Sequence, residues 1–261
     1  MNNIAKGLVT LVACSSIFLA CKHDAGTGSS SSLKMMLSDS AASAKLQPRT
    51  SHTIEFSDGA TTFTITEARM NIRDIRFNTS TTAGNAEDYT VPGGPYVMNL
   101  IDGTALPQNI SFDAPTGNYK RVDIRLDESN IEDGVVTTGD ALLGNALVVK
   151  GTHNYNGVTD GTFTLTVKVS EDIRFEPTNG IVVDTDAGAN VTLTFNVTDW
   201  LEDPDAANAG TKIDLTGCIA SAGLMDSKNH ITLDEGTQCE SVSASIGNII
   251  KDNMKNRYDF N

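Results

Sequence analysis

The chain has no HExxH, no GxSxG, no phosphate-binding GxxxxGK[ST] and no complete GxGxxG. The local signatures of zinc hydrolases, α/β-hydrolase nucleophiles, P-loops and dinucleotide folds are therefore absent. Gly26-Thr27-Gly28 is only a fragment of the last of these and opens no helical pattern. Histidine is scarce and scattered, at His23, His52, His153 and His230. A Ser-His-Asp set can assemble from distant residues, so an enzyme with an unrecognised site stays as one alternative. The reading taken is a protein that is not an enzyme and carries no cofactor. Cations are few as well. Without Lys6, 18 Lys and Arg face 33 Asp and Glu, a net of −15. No basic cluster is present to neutralise phosphates, so nucleic acid is not an expected partner. Long apolar runs are missing too. The longest, Gly7 to Ala20, is about 14 residues, short of the roughly 20 that a membrane span needs.

That run does suit a removable export signal, which needs about 7–15 apolar residues after a positive charge. Lys6 supplies the charge and Ala20 a small residue at the cut. Phe18-Leu19-Ala20-Cys21 resembles a bacterial lipobox, with Phe18 standing where Leu or a similar aliphatic is usual. The resemblance implies that Cys21 takes a diacylglycerol, that residues 1–20 are removed, and that the new amine is acylated. Leu11-Val12-Ala13-Cys14 fits the box too, but leaves only about seven apolar residues from Gly7, at the bottom of the signal range. A plain secretory signal with a bystander cysteine is the other alternative. Each buried methylene adds about 0.8 kcal/mol, and two or more chains hold where one does not. The expected location is a cell membrane, with lipid joined through Cys21. Lys22 follows the cysteine. A residue other than Asp there directs lipoproteins of enteric bacteria outward, which points to the outer membrane of a Gram-negative bacterium.

Residues 21–50 are rich in Ser, Ala and Gly and read as a lipidated flexible tether, with a typical reach of about 30 Å. Leu33 to Leu37, LKMML, is a short apolar patch within it. Cys14 leaves with the signal and Cys21 carries lipid, so Cys218 and Cys239 remain as a pair in an oxidising compartment. A disulfide is expected. It would close about 20 residues and contribute roughly 3 kcal/mol in the chain-entropy model. A metal pair is the alternative, without CxxC spacing or a close histidine.

From 51 to 199 the pattern is strand-like. RVDIRLD (121–127), TFTLTVKV (162–169) and NVTLTFNVT (190–198) alternate apolar and polar residues, as half-buried strands do. The pairs Asp58-Gly59, Asp102-Gly103, Asp133-Gly134, Asn156-Gly157, Asp160-Gly161 and Asn179-Gly180 mark turns. FTITEARMNIRDIRF (63–77) changes phase twice. Two bulges would explain that, although Ile65, Ala68, Ile72 and Ile75 also fit a helix face; strand is preferred. Arg69, Arg73 and Arg76 would then pair across the sheet with Asp123 or Asp127, as a solvated charged face rather than an anion site. The expected fold is mainly β: an antiparallel β-sandwich of about eight to ten strands with a C-terminal helical, disulfide-stapled segment. Its divisions are 1–20 signal, 21–50 tether, 51–199 sandwich, and 200–261 loop and helix extension. Val242, Ile246, Ile249, Ile250 and Met254 have helical spacing after Ser241 or Ser243, and Trp200 plugs the junction.

The stretches 63–77, 96–129 and 161–201 resemble a set of uncharacterised bacterial lipoprotein domains, over about residues 53–201. The resemblance implies a prealbumin-like or immunoglobulin-like sandwich without known catalysis. A more distant similarity is to copper-binding lipoproteins linked to methanobactin uptake, but it assigns no copper ligand to any residue of this chain. The metal candidates are Asp184 and Asp186, whose alternating oxygens resemble the opening of a calcium loop. Gly188 is one position early and Phe195 stands where a bidentate Glu belongs, so a hairpin turn is preferred. Glu202, Asp203 and Asp205 form an acidic loop. The composite expectation is a membrane-anchored binding module for an envelope or host protein or glycan, with a metal-binding lipoprotein as the alternative.

Overall fold

The computed structural model describes residues 30–38, 54–81, 89–184, 186, 188–203, 212–239, 245–256 and 258–260. Cys21, His23, His52, Asp205, Ser241 and Ser243 lie outside them. Among the described residues the strands are β1 Ser31–Ser38, β2 Ile54–Ser57, β3 Thr62–Asn78, β4 Tyr89–Thr90, β5 Tyr96–Asn99, β6 Ala105–Leu106, β7 Ser111–Phe112, β8 Gly117–Tyr119 and β9 Arg121–Leu126. They continue as β10 Leu147–His153, β11 Gly161–Val167, β12 Glu171–Phe175, β13 Ile181–Val183, β14 Asn190–Asn196, β15 His230–Leu233 and β16 Tyr258–Phe260. The helices are α1 Leu215–Ala222 and α2 Ile246–Asn256. The fold is mainly β and sandwich-like. A ten-stranded sheet built on β3 accompanies a four-stranded sheet in the order β16-β14-β1-β7, with β8 and β13 as a small third sheet.

The spine is β3, 17 residues long. β10 and then β9 line one of its edges, while β2, β5 and β4 line the other. Its core-facing set runs Phe63, Ile65, then Ala68, Met70, Ile72, then Ile75, Phe77. The odd–even–odd switch comes from two register shifts, at Thr66 against β10 and at Arg73 against β9. A bulge adds one residue to one strand and resets the side-chain phase. Each shift is met by a glycine. A Cβ on Gly151 would stand 1.8 Å from Thr64 O and 2.8 Å from the Phe163 ring. A Cβ on Gly94 would stand 2.4 Å from Arg73 O. The strand reading of 63–77 therefore holds, and the helix alternative fails.

Three expectations need correction. Residues 31–38 are not tether. They form β1, parallel to β14 from Ser32↔Asn190 to Ser38↔Asn196, with Leu33, Met35 and Leu37 at 1%, 1% and 5% exposure. Met36 breaks the visible alternation in LKMML, which is why the segment reads as a mere patch. The sandwich is also not purely antiparallel, because β15 runs parallel to β11. The segment after 199 is more than a loop and helix. It supplies β15 to one sheet and β16 to the other. Trp200, Leu215, Ile231, Ile246, Ile249 and Met254 belong to the same apolar core as Phe63 and Phe195. No separate core begins at 200.

Of the expected turn glycines, Gly59, Gly103, Gly134, Gly157 and Gly180 have positive φ, whereas Gly161 does not. Gly161 is needed for space, since a Cβ there would lie 2.3 Å from the His153 ring.

Gly151→Ala is expected to cost about 1–3 kcal/mol in urea unfolding, because a backbone oxygen must move to admit the methyl group. Thr152→Ala, exposed on the same strand, should stay within about 0.5 kcal/mol of the parent. Equal effects would remove the bulge-and-glycine account.

Candidate functional site

β1 gives the molecule a polarity. At its first residues, Ser31 pairs with Phe112 and Ser32 with Ser111 and Asn190. The Ser31 hydroxyl accepts from the Ala189 N–H at 2.9 Å. This N-terminal end of β1 carries the 184–188 hairpin. At the other end, Ser38 reaches Asn196, and the chain leaves β14 through a 3₁₀ turn, Val197–Asp199, beside β2. Nine residues, 22–30, stand between Cys21 and Ser31. That span covers at most about 35 Å fully extended, against about 100 Å for a tether running to residue 50.

Asp184 and Asp186 belong to a hairpin turn. Asp184 Oδ1 accepts from the Asp186 N–H at 2.8 Å, and the Gly188 N–H donates to Asp184 O at 3.1 Å. Among the described residues no three His, Cys, Asp or Glu side chains gather as a metal site, and the calcium candidates are not brought together with a further acid. No helix among them is long and apolar enough to cross a membrane.

The far end is tied by carboxylates. Asp58 Oδ1 accepts from the N–H groups of Ala60 and Thr61, and Oδ2 from Thr216 N–H at 2.6 Å. Burial alone would raise this carboxyl, but those hydrogen bonds hold it below the ordinary carboxylate range. Asp58 thus joins the β2–β3 turn to the start of α1, where Asp214 caps the helix by accepting from Gly217 N–H. Lys212 Nζ donates to Ser57 O at 3.1 Å. His153 is buried beneath this end. Its Nδ1 accepts from Tyr155 N–H at 3.2 Å, so Nε2 carries the proton donated to Asn229 O at 3.0 Å. His153 is thus a satisfied core residue. His230 shares a hydrogen bond with Thr162 Oγ1 at 2.8 Å. Glu202, of the acidic loop, forms a β-bridge with Lys212.

The outer face of β3, β9 and β12 is a checkerboard of charge. Register places Asp172 opposite Arg125 and Arg174 opposite Asp123, then Arg125 opposite Asp74 and Asp123 opposite Arg76. Arg76 pairs with Asp172, Arg73 with Asp127 at 3.5 Å, and Arg174 with Asp123 at 3.5 Å. Arg121 and Asp123 are buried, contrary to a fully solvated reading. Arg121 meets Asp123 at 2.9 Å, and Asn78 Nδ2 donates to the same carboxylate. Arg69 takes a different partner from those expected. Its two terminal nitrogens hold both oxygens of Asp140, at 2.8 and 2.7 Å, while Nε donates to Glu67. This clasp fastens the 127–146 loop over a small apolar cluster of Val97, Val136, Leu142 and Val148. Asp140 is invisible to motif reading, because its partner lies 71 residues away. Asp214 and Gly223, the cap and the αL stop of α1, are signals that would have located that helix.

Cys218 and Cys239 form a disulfide. Trp200 is buried and lines a small apolar cavity with Phe56, Leu165, Leu215, Leu233 and Ile250. No family model, curated protein or solved structure matches this chain.

The Arg69 guanidinium, working against burial, holds the Asp140 carboxyl at about 2. A carboxylate near 3.9 in the unfolded chain and lower in the fold adds stability that is complete above the unfolded value. That stability is lost as pH falls toward about 2. Asp140→Asn should cost about 1–2 kcal/mol at neutral pH. Its gap to the parent should close between about pH 4 and pH 2 in urea unfolding. A gap that does not change with pH would contradict the clasp.

Proposed function

We propose that this chain is a lipid-anchored envelope protein, held in the outer membrane of a Gram-negative bacterium through Cys21, and that its β-domain is a non-catalytic binding module for an envelope or host protein or glycan. The observation that carries this reading is the position of β1. The first core strand begins ten residues after the candidate lipid attachment site. An anchor there holds the 184–188 end of the domain close to the bilayer and turns the opposite end outward. That outward end gathers the 57–61 turn, the 153–161 loop, the 197–203 segment and the start of α1, linked by the Asp58 and Lys212 contacts. Connecting loops on a rigid sheet scaffold are where binding residues concentrate. The Cys218–Cys239 disulfide suits an oxidising compartment outside the cytoplasm. The acidic net charge keeps the domain off anionic lipid headgroups, which leaves the acyl chains to hold it.

Cys21→Ala is expected to move the full-length protein from the detergent phase to the aqueous phase in phase separation, with its circular dichroism and unfolding midpoint unchanged. A variant that remains in the detergent phase would overturn the anchor.

A further inference from the structure

The ten-stranded sheet ends at β12. Among the described residues no strand pairs with its outer side. The direction of its backbone groups follows from the sheet itself. Val91 N–H donates to Ile75 O on the β4 edge of β3. Antiparallel residues alternate in which side they bond, so Asp74 and Arg76 turn their backbone groups toward Arg125 and Asp123 of β9. The neighbouring β9 residues Val122, Ile124 and Leu126 then bond to β12, where they meet Phe175, Ile173 and Glu171. Asp172 and Arg174 are left with N–H and C=O pointing out of the sheet edge. Their side chains are also the exposed ones of the strand.

We infer that this edge pairs with the same edge of a second copy, as an antiparallel β12–β12 ladder with its two-fold axis at Ile173. The register is the one the backbone requires. Asp172 and the second copy's Arg174 exchange both main-chain hydrogen bonds, and the symmetric pair does the same. Their side chains then meet as opposite charges directly across the ladder, an arrangement that stabilises a cross-strand pair. A C2 contact must be self-complementary, and Asp-Ile-Arg read against its own reverse satisfies that condition. The surrounding face offers no net repulsion. Arg73, Arg76, Arg125 and Arg174 balance Asp74, Asp123, Asp127 and Asp172, on a chain whose formal net charge is −14. Lys251 and Lys255 reach Glu171, whose side chain alternates to the opposite face from Asp172 and Arg174, so α2 leaves the outer edge open. Five residues of ladder make a small interface, weak in dilute solution. Confinement to one membrane raises the effective concentration, and that part rests on the proposed anchor.

The test uses full-length protein in phosphatidylethanolamine/phosphatidylglycerol vesicles and, separately, in detergent solution at high concentration. Asp172→Cys protein is mixed with Arg174→Cys protein and oxidised. The mixture should give a disulfide dimer on non-reducing gels, at least about fivefold above either variant alone, since only unlike positions stand opposite in this register. In a second arm, Asp172→Arg and Arg174→Asp should each lower the dimer fraction, measured by chemical cross-linking, by about tenfold. Mixing the two should restore it, because the heterodimer regains both charge pairs. Vesicle flotation is read in the same samples. Protein that fails to float contradicts the anchor alone, and the dimer is then judged in detergent solution. Equal cross-linking in the mixture and in the single variants, or none in either setting, would overturn the ladder.

Discussion

A strand can bury only every second residue, and β3 must bury apolar side chains along three successive stretches whose phase alternates. Both bulges serve that constraint. Before Thr66 the odd positions face the core, after it the even ones do, and beyond Arg73 the odd positions return. Without the first shift, Met70 and Ile72 would turn outward and Arg69 inward. Without the second, Ile75 and Phe77 would be lost from the core. Close packing leaves no slack for these steps, so the neighbouring backbones approach through Gly151 and Gly94. β10 and β9 can then share one edge of a single long strand, and that side of the larger sheet is extended outward from them by β11, β15 and β12.

The smaller sheet depends on the N-terminal segment. β1 lies between β14 and β7, and its amides reach further to the carbonyls of Ile110 and Leu100. Leu33, Met35 and Leu37 fill the space beneath β14. Removing this strand would leave an open edge on β14 and an apolar slot, a liability that native sheets avoid. The segment nearest the candidate lipid is therefore part of the fold. The domain completes its core only with a strand whose first residue stands ten positions after Cys21, so the proposed anchor would couple folding to anchoring. On the proposed anchoring, the loop end opposite the 184–188 hairpin and the lateral β12 edge are surfaces offered to partners.

Much of this was legible in the residues. Arg121–Leu126, Gly161–Val167 and Asn190–Asn196 alternate without interruption, so β9, β11 and β14 stand out. The two phase changes in 63–77 were also visible, and the bulges are where they imply. Other features were hidden for physical reasons. β1 carries Met36 and Lys34 among its apolar residues and follows a Ser-rich run, so composition masks its period. α1 is short and contains Gly217, so its buried Leu215, Cys218 and Ile219 span little more than one turn, and the Asp58 and Asp214 carboxylates hold its start. Asp140 acts on Arg69 across a long loop, a contact that only the folded chain creates. Arg121 and Asp123 read as solvent-facing charges. They are covered because each neutralises the other, and Asn78 closes the site.

The account turns on residues 31–38 being core rather than tether, and hydrogen exchange of the full-length protein followed by mass spectrometry reads this directly. The amides of Ser32, Leu33 and Leu37 donate to Ala189, Ile110 and Leu100, and the rest of β1 pairs with β14. Peptides covering 31–38 should therefore exchange as slowly as those covering β14, since core strands open only with large-scale unfolding. Exchange of 31–38 at the rate of an unstructured peptide, while β14 stays protected, would contradict it.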